Sequence, residues 1–204
     1  MTLTAKEPEK TSLPLIPPDT YQAVVCWIAD LGTHYSEKYE KDSQKVMLVW
    51  EIKDVRIEID GESKPRLIKG VYSNSLHEKA YLRRDLEAMR GKPFTADELI
   101  GFDIRNVLGA NCLLQISHDT YEGRPYAKIT AVAKLMKGME KSIPETPTFC
   151  YDIENGFDFA SEAPDMPEWI QDKIKGCKEY KEFISPPNEA KADYDETSDD
   201  DIPF

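Results

Sequence analysis

Ser75-Leu-His-Glu-Lys-Ala-Tyr-Leu-Arg-Arg-Asp-Leu-Glu-Ala-Met-Arg-Gly91 reads as a helix set between strands. Ser75, followed three residues on by Glu78, has the form of a capping box. Leu76, Ala80, Leu82 and Leu86 supply an apolar face, Met89 lies near the end, and Gly91 is a stop signal. Before it stands Pro65-Arg-Leu-Ile-Lys-Gly-Val-Tyr72, which reads as a strand. Further upstream, Tyr21-Gln-Ala-Val-Val-Cys-Trp-Ile-Ala29 and Lys45-Val-Met-Leu-Val-Trp-Glu-Ile-Lys53 have the β-branched and aromatic content of strands. Ile57-Glu-Ile-Asp60-Gly61-Glu62 suggests a separate strand ending in an Asp-Gly turn.

After the helix, Thr95-Ala-Asp-Glu98 is a second capping signal, for a short helix. Asn111 to His118 is the fourth strand, Glu122-Gly123 marks a turn, and Arg124 to Leu135 is the fifth. Three strands, a helical insertion and two strands is the order of an OB-fold, a five-stranded Greek-key barrel with its helix between strands three and four. The expected fold is therefore mainly β. In the last strand Ala127, Ile129, Ala131, Ala133 and Leu135 alternate with Tyr126, Lys128, Thr130 and Lys134. The first set is expected to fill the barrel and the second to face out.

The organisation that follows is an N-terminal arm over residues 1–19, a barrel over 20–140, an extension over 141–184 and a disordered acidic tail from 185. The extension carries a short amphipathic helix at Pro167-Glu-Trp-Ile-Gln-Asp-Lys-Ile174. Its Trp169, Ile170 and Ile174 stripe is expected to pack on the barrel. The net charge of −12 is unevenly spread: residues 151–204 hold 16 acids and 5 bases, leaving 22 and 21 in residues 1–150. A near-neutral binding domain with a local basic face is thus allowed, although the chain as a whole is acidic.

Cys26, Cys112, Cys150 and Cys177 are far apart, no Cys-x-x-Cys occurs, and the three histidines form no ligand pair at helical spacing. No metal site or cofactor is expected, and the thiols fit a reducing compartment. No apolar stretch is long enough to span a bilayer and no signal core opens the chain, so a cytoplasmic protein is expected. Enzyme motifs are missing. There is no Gly-rich loop with its Lys, no Gly-x-Ser-x-Gly and no His-Glu-x-x-His. The carboxylates are too numerous for any pair to stand out as catalytic.

The chain ends in Asp199-Asp200-Asp201-Ile202-Pro203-Phe204. Acids repel one another and stay solvated, so the apolar residues after them have no route back to a core. The tip offers a partner a Phe side chain, a terminal carboxylate and an acidic rim, with Pro203 lowering the ordering cost. It resembles the C-terminal tip of bacterial single-stranded-DNA-binding proteins, which implies docking of replication and repair enzymes.

A second resemblance lies in the domain. Val71-Tyr-Ser-Asn-Ser-Leu-His-Glu-Lys-Ala-Tyr-Leu-Arg-Arg-Asp-Leu-Glu-Ala-Met-Arg-Gly-Lys-Pro-Phe-Thr-Ala-Asp-Glu-Leu99 and Gly101-Phe-Asp-Ile-Arg-Asn-Val-Leu-Gly-Ala-Asn-Cys-Leu-Leu-Gln-Ile-Ser-His118 are similar to phage and prophage single-stranded-DNA-binding proteins. That similarity, over residues 20–140, implies an OB-type core that coats single-stranded DNA in phage replication and recombination, in the host cytoplasm. The chain lacks the long Gly/Gln/Pro-rich linker of the bacterial proteins, and residues 140–184 are additional. A homo-oligomer is compatible with this reading, its state left open.

Single-stranded DNA needs cations along its phosphates and aromatic faces for its bases, each stacked base being worth about 1–3 kcal/mol. Trp27, Trp50, Tyr72, Tyr121 and Tyr126 are the stacking candidates. Trp50 shares parity with Val46, Leu48 and Ile52 and reads as core, whereas Tyr126 shares parity with Lys128 and reads as exposed. Lys53, Arg66, Lys69, Arg83, Arg84, Arg124 and Lys128 are the phosphate candidates. Tyr121 and Arg124 stand at the last hairpin, where OB-folds carry a ligand-binding loop. The rival reading is an adaptor, in which the barrel binds no DNA and the tail mimics a host tip.

With DNA absent, the acidic tail is expected to compete weakly for the basic groove. Deleting residues 196–204 should then tighten binding to oligo-dT at low salt, measured by fluorescence anisotropy. A truncated chain that binds no better contradicts the competition.

Overall fold

A strand covered on one face buries alternate residues, but β1 (Thr20–Ser36) buries Ala23 through Ala29 without a break. Its neighbour β2 (Lys41–Ile59) does the same from Val46 through Ile52. Both strands are therefore covered on both faces. The computed structural model describes residues 13–37, 40–59, 61–164 and 166–185. Within them the fold is mainly β. β3 (Glu62–Ser73), β4 (Asn111–Tyr121) and β5 (Arg124–Lys134) complete an antiparallel path β3-β2-β1-β4-β5, and a short β6 (Phe149–Tyr151) runs parallel to β1. Helices α1 (Tyr81–Arg90) and α2 (Ala96–Ile100) lie between β3 and β4.

The inner face packs Val25, Ile28, Leu48, Trp50 and Ile52 against Leu82, Leu86 and Met89 of α1 and Leu114 and Ile116 of β4. The outer face packs Cys26, Trp27, Met47 and Val49 against Tyr151, Met166, Ile170 and Ile174. A bulge makes this possible. The pairing with β2 slips between Val25 and Trp27, so Cys26 is the extra residue and both it and Trp27 turn outward.

The outer cover is the extension. It holds α3 (Phe159–Glu162), α4 (Glu168–Lys175) and α5 (Lys178–Ile184), where the sequence suggested only one helix. Ile170 and Ile174 of α4 are fully buried. Glu51 pins the start of this cover. Its carboxylate is 1 % exposed and accepts the backbone N–H groups of Glu145 at 3.0 Å and Thr146 at 2.8 Å. Just upstream, the Asn111 side chain accepts from Ser142 N–H at 2.7 Å and donates to Ser142 O at 2.9 Å. At the far end of β1, Thr33 N–H donates to Glu179 of α5 at 2.8 Å. Gly32 beside it has φ +72°, and a Cβ there would lie 2.7 Å from Cys177.

Four expectations need correction. The helix starts at Tyr81, not at Ser75, because Ser75 Oγ accepts from His77 N–H and His77 Nδ1 from Lys79 N–H, local turns that outcompete the helix. The Thr95–Glu98 capping box, by contrast, is formed. Lys45–Lys53 and Ile57 onward are one bulged strand, with a register slip between Ile52 and Arg56. The alternation of β5 breaks at Thr130, opposite a slip between Gln115 and Ile116, so Val132 enters the core while Ala131 and Ala133 are exposed. The arm is not free along its whole length: Ile16 is buried in the inner core, and its carbonyl lies 2.8 Å from His118 Nε2.

Because Glu51 is the acceptor for two backbone donors in a dry site, Glu51→Ala should lower the unfolding free energy by about 2–4 kcal/mol. Lys53→Ala, at an exposed position two residues on, should change it by less than about 0.5 kcal/mol. Urea unfolding followed by circular dichroism measures both.

Candidate nucleic-acid interface

β3 and β5 are the two ends of the strand path, each paired on one side only among the described residues. Between them runs an open cleft of about 1000 Å³. β3 contributes Arg66 through Tyr72, β5 contributes Tyr126 through Thr130, and α1 contributes Tyr81, Arg84 and Asp85. Leu15 and Ile16 of the arm, Trp27 of β1, Val49 of β2 and Trp169 of α4 complete its walls. Seven residues proposed from sequence border it: Trp27, Arg66, Lys69, Tyr72, Arg84, Tyr126 and Lys128. Lys53, Arg83, Tyr121 and Arg124 do not.

The seven are not equivalent. Trp27 is 7 % exposed, stacks on Phe149 at 5.2 Å and donates from Nε1 to Pro147 O at 2.9 Å. It holds the extension in place and offers no free face. Tyr72 is buried, and its hydroxyl donates to Asp85 at 3.1 Å. Burial, with Asp85 adding to it, drives its pKa far above the usual phenol range. Trp50 is wholly buried, as its parity indicated. Tyr126 is half-exposed, and its hydroxyl donates to Asp119 at 3.4 Å.

The cations differ in the same way. Lys128 is paired with Asp119 at 2.9 Å, which raises the ammonium pKa and lowers that of the carboxyl. Arg84 is held by buried Asp85 at 2.8 Å and lies over the Tyr81 ring. Arg66 and Lys69 have no carboxylate within ion-pair distance among the described residues. Burial lowers the pKa of both. Outside the cleft, Arg83 is spent on Glu87 and the Leu76 carbonyl. Lys53 faces the segment Met139–Ile143. Tyr121 and Arg124 flank the β4–β5 turn, whose Glu122 and Gly123 both have positive φ, and Tyr121 is 69 % exposed.

Two cleft residues escaped the sequence reading. Tyr81 lies at the first position of α1, a segment expected to be inside the helix. Trp169 was assigned to a buried stripe, yet it is 39 % exposed. The signal for Trp169 was in the spacing: Ile170 and Ile174 are four apart and set the buried face, and Trp169 is one residue out of phase with them.

No family model matches this chain, and no curated protein matches it. Among the described residues no group of three His, Cys, Asp or Glu side chains converges on a metal-sized site, and no helix is long and apolar enough to cross a membrane. The tip Asp199–Phe204 and residues 1–12 lie outside the described residues.

If Tyr72 is structural, Tyr72→Phe should cost about 1–3 kcal/mol, because it strips a donor from buried Asp85. Thermal unfolding measures that loss.

Proposed function

We propose that this chain binds single-stranded DNA without sequence preference through the cleft between β3 and β5, in phage DNA replication or recombination. In this reading residues 20–135 form an OB-type domain, and the Asp199–Phe204 tip recruits replication and recombination enzymes. One observation carries the proposal: an open cleft between two free strand edges gathers Arg66, Lys69 and Lys128 with the half-exposed ring of Tyr126. Cations beside accessible rings in a groove are what a flexible polyanion with unpaired bases requires.

Three further points support it. The strand path β3-β2-β1-β4-β5, with helices between β3 and β4, is compatible with a five-stranded barrel left open between β3 and β5. The cleft is a recess, whereas reading a duplex major groove calls for a projecting helix or ribbon. Acidity concentrates in residues 151–204, so it does not cancel the cations of the cleft through the rest of the chain.

Oligo-dT should bind saturably, with affinity falling as salt rises, and a duplex of equal length should bind much more weakly. Lys128→Ala should reduce the salt slope by about 0.7, the single-strand value for one phosphate contact. Asp119→Asn should tighten binding, because it frees the Lys128 ammonium. Anisotropy of labelled oligo-dT and a mobility shift measure all three. Silence in both assays overturns DNA binding and leaves the adaptor reading.

A further inference from the structure

We infer that α4 is part of the nucleic-acid site: Trp169 is a base-stacking platform, and Lys69, whose ammonium lies over its ring, supplies the phosphate contact beside it. The inference rests on the reading of the cleft as a single-stranded-DNA site. It extends that site from the barrel to the C-terminal extension.

Trp169 is the accessible tryptophan of the three. It is 39 % exposed, against 7 % for Trp27 and 0 % for Trp50. It is also held rigidly, because Ile170 next to it and Ile174 beyond are fully buried and fix the rotation of α4. A large flat ring on a locked helix at a cleft wall loses little conformational freedom when a base stacks on it.

The charges around it point to an anion. The Lys69 ammonium lies 4.0 Å from the Trp169 ring centroid. Burial lowers the Lys69 pKa, and the charge of Lys173 on α4 adds to that. Arg66 lines the same cleft, and its buried Nε has no hydrogen-bond partner among the described residues. A desolvated N–H with no acceptor is costly. Yet the chain holds 38 acids to 26 bases, so carboxylate partners are plentiful. None lies within ion-pair distance of Arg66, Lys69 or Lys173 among the described residues, whereas Lys128 and Arg84 elsewhere in the cleft each have one. A cation without a carboxylate over an exposed indole, with Arg66 unpaired elsewhere along the cleft, matches a phosphodiester chain whose base lies on the ring while its phosphates take the cations. In the bound state Lys69 moves from the ring face to a phosphate.

The test uses the full chain and two probes: oligo-dT and an abasic deoxyribose-phosphate oligomer of equal length. Trp169→Ala should weaken oligo-dT binding by about 5- to 100-fold and leave the abasic oligomer within about 2-fold, the signature of a lost stack. Trp169→Phe keeps a stacking face and should stay within about 3-fold of the wild type on oligo-dT by mobility shift. Its tryptophan quenching should nonetheless vanish, since Trp27 and Trp50 are buried. Lys69→Gln should weaken both probes and lower the salt slope by about 0.7.

Wild-type binding to oligo-dT with Trp169→Ala unchanged overturns the inference and leaves the cleft reading intact; an acidic peptide as the true occupant of this wall would give that result. Equal losses on both probes overturn stacking in favour of a packing role. Failure of the wild type to bind oligo-dT overturns the cleft reading itself.

Discussion

The constraint on which the structure depends is the double-sided burial of β1 and β2. Seven consecutive residues in each are buried, so neither strand tolerates water on either face. The inner face is served by α1 and by β3, β4 and β5. The outer face has no cover within residues 20–135, and the extension supplies it through Met166, Ile170 and Ile174. Glu51 belongs to the same solution. A carboxylate in that layer is tolerable only because it meets two backbone donors, and those donors belong to the segment that leads the extension across the sheet. The extension is therefore a third layer of the fold and not an appendage.

The position of that layer shapes the cleft. α4 packs against β1, and its Trp169 borders the cleft with Lys69 of β3 over its ring. The opposite side is built from β5, where Asp119 already occupies Lys128 and touches Tyr126. The cleft thus has two unlike walls. One carries Lys69, which has no carboxylate partner among the described residues, over an indole, and the other carries Lys128 paired with Asp119. An ion pair already made must be broken before its cation can serve another anion, so Lys69 is the more available of these two cations.

Much of this was legible in the residues. Five strands, a helical insertion after the third and the hairpin at Glu122-Gly123 all follow from periodicity and turn chemistry, and Trp50 followed from its parity. Errors arose where one residue shifts the phase. The bulge at Cys26 turns Trp27 outward under the extension, and the bulge at Thr130 sends Val132 inward and Ala131 out. A period-2 reading carries no signal for an inserted residue. Ser75 failed as a helix cap for a related reason. The Ser-x-x-Glu pattern serves a tight turn as well as a helix, and the chain leaving β3 needed a turn.

By itself the sequence determined the mainly β class, the order of the elements and the segregation of acid into the last quarter, because each of these is local or compositional. Which aromatic and which cation face the cleft was decided by the tertiary structure alone. Tyr72, Trp27 and Arg84 look like binding residues in isolation, but each has a partner brought to it from elsewhere or beside it: Asp85, Phe149 and Asp85 again. Trp169 belongs by its position to an apolar stripe, and it is the fold that leaves it exposed with Lys69 of β3 over its ring and no carboxylate on that cation. Availability of a side chain is a property of its neighbours in space, and β3 and α4, about 100 residues apart in the chain, become neighbours only on folding.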